Sequence, residues 1–83
     1  MPRFRIVVTE EQLQKALGVL IFLYGFSHDR ALEMVMNLFP HIDEWEGTRY
    51  YTRYEIARGE EIFELKSKYR TIFGEGVDIQ KVP

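Results

Sequence analysis

The 83-residue chain has no cysteine, which excludes a disulfide framework and a thiol nucleophile and fits a reducing compartment. It has a single asparagine, Asn37, while glutamate, arginine and tyrosine are plentiful. It also lacks a long apolar run: the longest, Val19 to Tyr24, is far short of the roughly 20 residues that cross a bilayer. The opening MPRFRIVV has neither the extended apolar core nor the small-residue cleavage site of a secretory signal. A soluble, cytoplasmic protein with no membrane partner is expected.

An excess of positive charge is missing as well. Eleven basic residues face thirteen acidic ones, for a net charge of −2. Residues 1–26 carry three bases against two acids, residues 27–47 one against five, and residues 48–83 seven against six. A protein coating nucleic acid over its whole surface would be strongly basic, so any DNA contact here must be local.

Catalytic signatures are equally sparse. The two serines are Ser27 and Ser67, and Ser27-His28-Asp29 is a consecutive run entering a helix, where the side chains cannot fan into a relay. His28 and His41, with Asp43 and Glu44, carry no recognised metal-ligand spacing. Phe73 to Gly76, FGEG, lacks the lysine and spacing of a phosphate loop. No enzymatic activity, cofactor or metal is expected from this pattern.

What is present reads as a folded α+β chain, with 46% hydrophobic and 14% aromatic side chains and no repeat or low-complexity tract. At this size only about 60–68% of the unfolded surface can be buried, so a partner subunit would help. Arg3 to Val8 alternates, with Phe4, Ile6 and Val8 on one face and Arg3, Arg5 and Val7 on the other, which predicts a half-buried strand. Thr9 and Gln12 form a capping-box pattern, so a helix starts at Glu10. Its core stripe is Leu13, Leu17, Leu20 and Tyr24, but Val19, Ile21, Phe22 and Leu23 make its second half apolar all round. Gly25 stops it, Ser27 caps the next helix, and that helix runs from His28 to Leu38, burying Ala31, Leu32, Val35, Met36 and Phe39 before Pro40.

Arg49 to Ala57 predicts a strand with Tyr50, Thr52, Tyr54 and Ile56 on one face, paired with a short strand before the turn at Glu46-Gly47-Thr48. Ile62, Leu65, Tyr69 and Ile72 repeat at helical spacing between Glu60 and Phe73, with Gly74 as the stop, and Val77 to Val82 closes the chain as a strand. Arginines interleave with tyrosines around residue 50. A secondary nucleic-acid or partner surface at Arg49, Tyr51 and Arg53 follows from that pattern, against the simpler alternative that Tyr50 and Tyr54 are core and the arginines pair with nearby acids. Trp45 reads as a packing anchor.

RFRIVV, TEEQL and GFSHDRALEMV together resemble the ribbon-helix-helix family of dimeric transcriptional regulators, over residues 3–36. The resemblance implies a homodimer in which strands from two subunits pair into a ribbon that enters the major groove of double-stranded DNA. Arg3, Arg5 and Val7 would read bases, and Ser27 and His28 would hold phosphate. The partner subunit would cover the apolar half of the first helix. Residues 1–39 then form the ribbon-helix-helix-like unit and residues 40–83 an α/β extension for a further protein partner, with Pro40 as the seam. Asp29 departs from the family, which often has a small hydroxyl residue there.

The same element order also suits a single ferredoxin-like α+β sandwich over residues 1–83, a small interaction or assembly module in which Arg3 and Arg5 simply face solvent. Two further arrangements fit less of the chain. A helix-turn-helix would set Ser27, His28, Asp29, Leu32 and Glu33 against bases, and a ubiquitin-associated-type bundle has no place for the first strand.

Overall fold

Alternation followed by helical periodicity produces the first two elements of the computed structural model, which describes residues 2–83. The order is β1 (Arg3–Thr9), α1 (Glu10–Phe22), α2 (His28–Leu38), β2 (His41–Trp45), β3 (Thr48–Ile56), α3 (Glu60–Phe73) and β4 (Asp78–Val82). The strand-to-helix switch at Thr9 is a capping box: its hydroxyl accepts from the Gln12 N–H at 3.2 Å, and the Gln12 carboxamide accepts from the Thr9 N–H at 2.8 Å. Gly25, at φ 76°, lets the chain reverse so that the Phe26 N–H donates to the Leu20 carbonyl at 3.1 Å. The Ser27 hydroxyl then caps α2 by accepting from the Arg30 N–H. Between β2 and β3, Glu46 and Gly47 both have positive φ, 50° and 80°, the geometry of a tight type I′ hairpin.

The four strands form one sheet in the order β2-β3-β1-β4, with every neighbouring pair antiparallel. This is the strand order of the ferredoxin-like split βαβ arrangement, with a second helix added to the first crossover. β1 is an interior strand. Arg5 lies opposite Tyr54 of β3 on one side and Gln80 of β4 on the other, so neither edge of β1 is free to pair with a second copy. The structure thus does not show the intersubunit ribbon expected from the resemblance: both edges of β1 are paired within the chain.

Pro40 is not a seam in the core either. Phe4, Ile6, Val8, Leu13, Leu17, Ala31, Val35 and Phe39 share one buried cluster with Tyr51, Leu65, Tyr69 and Phe73. Phe39 sits at its centre, edge-on to Tyr51 at 6.4 Å and to Phe73 at 5.4 Å between ring centroids. All three helices lie on one side of the sheet with this core between. The molecule measures 36 × 32 × 20 Å, and the shortest axis holds one helix layer on one sheet; among the described residues nothing covers the other face.

Three expected core positions fall outside it. Tyr24 and Leu32 are exposed, because α1 ends at Phe22 and α2 turns only Ala31 and Val35 fully inward. Phe22, Leu23 and Tyr24 form an uncovered apolar corner, Phe22 being 84% exposed. Trp45 is no packing anchor: it is 68% exposed on the edge strand β2. Among the described residues no helix is long and apolar enough to cross a membrane.

Candidate binding face of the sheet

Because side chains alternate across a strand, the burial of Phe4, Ile6 and Val8 against the helices forces Arg3, Arg5 and Val7 onto the opposite face. Antiparallel pairing carries that choice to the neighbours. Ile56, Tyr54 and Thr52 lie opposite Arg3, Arg5 and Val7 on β3, and Val82, Gln80 and Asp78 lie opposite them on β4. On β2, His41 and Asp43 lie opposite Thr52 and Tyr50, and Trp45 opposite Thr48. One uncovered face thus gathers two arginines, four aromatic rings (Trp45, Tyr50, Tyr54 and His41) and three aliphatic side chains.

The face is polar at one end and aromatic along one side. The Arg3 guanidinium lies over the Tyr54 ring, 4.8 Å from its centroid, and His41 meets the same ring edge-on at 6.3 Å. Arg5 Nη2 donates to Gln80 Oε1 at 3.2 Å. β2 begins only opposite Thr52, so the outer side of β3 beyond that point has no neighbour. The step leaves a hollow of about 680 Å³, lined by Arg5, Pro40, His41, Asp43, Thr52 and Tyr54. Tyr54 and Ile56 beside it are 42% and 60% exposed. The acids of the face, Asp43 and Asp78, sit toward the Thr9 end, away from Arg3.

The structure separates the residues singled out from the sequence. Arg3, Arg5 and Val7 share a face, as alternation requires, but Ser27 and His28 cap α2 in the helix layer on the other side of the sheet. His28 there lies 3.7 Å from the Asp29 carboxylate, an unfavourable neighbour for phosphate. The surface expected at Arg49, Tyr51 and Arg53 is on the helix-covered side. Tyr51 is 2% exposed, because it lies opposite Val8 and shares that residue's buried phase. Its hydroxyl donates to Glu10 Oε2 at 2.5 Å, a bond that holds the Glu10 carboxyl below its ordinary range, while burial raises the Tyr51 phenol. Arg53 reaches back to donate to the Leu38 carbonyl at 3.2 Å and pairs with Glu55 at 3.1 Å.

Arg53 and Glu55 belong to a polar cluster under the sheet. Glu55 also accepts from the Tyr69 hydroxyl and lies 3.7 Å from the Lys68 ammonium. Burial works against the Glu55 carboxylate, but the Tyr69 hydroxyl, Lys68 and Arg53 together outweigh it and hold the group below its ordinary range. Arg53 reaches Leu38 at the end of α2, and Tyr69 and Lys68 reach Glu55 from α3, so the cluster ties α2, β3 and α3 together. Among the described residues no group of three or more histidine, aspartate or glutamate side chains is placed to hold a metal. The residues of the uncovered face that sequence reasoning missed as one surface are His41, Trp45, Tyr54 and Gln80, which no local signal joins and only the register of β2, β3 and β4 brings beside Arg3 and Arg5 or onto their face. Comparison of the chain with protein-family models, curated proteins and solved structures gave no match.

Proposed function

We propose that this protein is a small binding module that engages its partner through the uncovered face of its sheet. The observation that carries this reading is an uncovered sheet face on which Tyr54 and Ile56, both exposed, sit beside Arg3 and Arg5, with the exposed Trp45 farther along the β2-β3 side. Aromatic and arginine side chains together are the composition of interface centres. Hydroxyl-radical footprinting of the chain, purified and in an extract of the cells that make it, tests the reading. Trp45, Tyr54 and Ile56 are expected to oxidise readily in the purified chain and to be protected in the extract, while Phe22 at the opposite corner stays reactive in both. Equal oxidation of the face in both samples would overturn it.

A further inference from the structure

Resting on that reading, we infer that the partner of the face is single-stranded nucleic acid, with bases stacked on the β3 and β2 rings and phosphates held by Arg3 and Arg5. Bases that are unpaired offer flat π-faces, and a sheet strand presents rings at a spacing that successive bases can meet. Tyr54 is 42% exposed, and the planar Arg3 guanidinium lies over its ring at 4.8 Å, a stacked partner that an incoming base would displace. The His41 ring adjoins Tyr54, and Tyr50 and Trp45 continue the row along the β2-β3 side. The guanidiniums of Arg3 and Arg5 flank the Ile56–Tyr54 end of this row from the centre of the sheet, while Tyr50 lies opposite Thr9.

The arginine end of the face favours an anionic partner over a neutral or basic one, and the ring between the arginines and β2 suits a base rather than a carboxylate. The net charge of −2 is not spread over this face: its arginines occupy the end that also holds Tyr54, Ile56, Gln80 and Val82, and its acids occupy the other. The hollow beside Tyr54 is lined by Arg5, His41 and Thr52, polar side chains that can hydrogen-bond a phosphate or a base edge. A duplex does not fit the same chemistry, since its bases stack on one another and hide their faces.

The test is fluorescence anisotropy with a fluorescein-labelled, mixed-sequence single-stranded 12-nucleotide DNA, the same sequence as RNA, and the annealed duplex, at several salt concentrations. The single strands are expected to bind at least tenfold more tightly than the duplex. The log-log salt slope is expected near −1.4 if two arginines neutralise two phosphates, falling to about −0.7 in Arg5→Gln. Tyr54→Ala is expected to weaken binding by about tenfold or more without changing that slope. Tyr54 is outside the core, and circular dichroism confirms that each variant is folded. No binding of either single strand at low salt, equal binding of duplex, or variants indistinguishable from the parent would overturn the inference. Nuclease treatment of the extract in the footprinting experiment separates the two claims. Protection that nuclease abolishes supports both. Protection that survives nuclease leaves the binding face standing and overturns the nucleic-acid partner.

Discussion

Replacing Tyr69 with phenylalanine removes one oxygen from the centre of the polar cluster and leaves the ring in place. Tyr69 is 1% exposed and stacks on Phe73 at 5.9 Å, so the packing of the variant is unchanged to first order. What is lost is the hydroxyl's bond to Glu55, whose side chain is 18% exposed. A hydrogen bond to a charged group is worth about 1.5–3 kcal/mol, and Arg53 and Lys68 still stabilise the carboxylate, so a loss near 2 kcal/mol at neutral pH is expected. For a domain of this size that corresponds to a fall in Tm of roughly 10–12 °C.

The pH dependence is the sharper part. The folded carboxyl of Glu55 titrates below its unfolded counterpart, so the folded chain binds fewer protons and the stability from this group is present above the ordinary glutamate value, about 4.3. It is lost as pH falls toward the folded value. In acid the Tyr69 hydroxyl faces a neutral carboxyl, and the penalty of Tyr69→Phe is expected to shrink to about 1 kcal/mol. At the other extreme burial, with the bond to Glu55, raises the Tyr69 phenol. The unfolded chain therefore ionises first above about pH 10, and the parent should lose more stability there than Tyr69→Phe, which keeps only the loss from the raised Tyr51 phenol. Urea unfolding at pH 3, 7 and 10.5 reads all three. A variant as stable as the parent at pH 7, or a penalty that does not change with pH, would refute the role assigned to the cluster.

Glu46 holds a left-handed conformation that a branched or charged side chain adopts at a cost, whereas asparagine is favoured there, so Glu46→Asn is expected to stabilise by about 0.5–1 kcal/mol in the same assay. Thr9→Ala removes half of the capping box and should cost about 1 kcal/mol, with Thr9→Ser restoring most of it. Phe39→Ala opens a cavity between Tyr51 and Phe73 and should cost about 3–5 kcal/mol, enough to leave the chain largely unfolded at 37 °C by calorimetry.

Local elements were legible in the sequence because their signals are local. The capping pair at Thr9 and Gln12, Gly25, Ser27, Pro40 and Gly74 punctuate the chain where the helices end or begin, and the alternation of Phe4, Ile6 and Val8 marks the buried side of β1 without ambiguity. The phase of β3 was not legible, because both of its faces carry aromatic residues. Tyr50 and Tyr54 look as buriable as Tyr51, and only the pairing of Tyr51 with Val8, fixed by the register with β1, decides which side meets the helices. The position of β1 inside the sheet was likewise out of reach. A short alternating strand followed by a capped helix reads the same whether its edges are filled by a second copy or, as here, by residues 48–56 and 78–82 of its own chain. Trp45 was misplaced for a related reason: its apolar bulk says nothing about the edge position that exposes it. The binding face was thus half visible, as Arg3 and Arg5, and its aromatic half appeared only with the register.

The binding face exists only because β1 is an interior strand of its own sheet, with Arg5 between Tyr54 and Gln80. An isotope-filtered NOE experiment on a one-to-one mixture of ¹³C-labelled and unlabelled chains tests this most directly. Intrachain contacts from Arg5 to Tyr54 and Gln80, and from Ile6 to Ile79, are expected, with none between the β1 strands of two copies. Interchain contacts joining β1 to its copy, in place of those to β3 and β4, would contradict the sheet, the face built on it and the function proposed for that face.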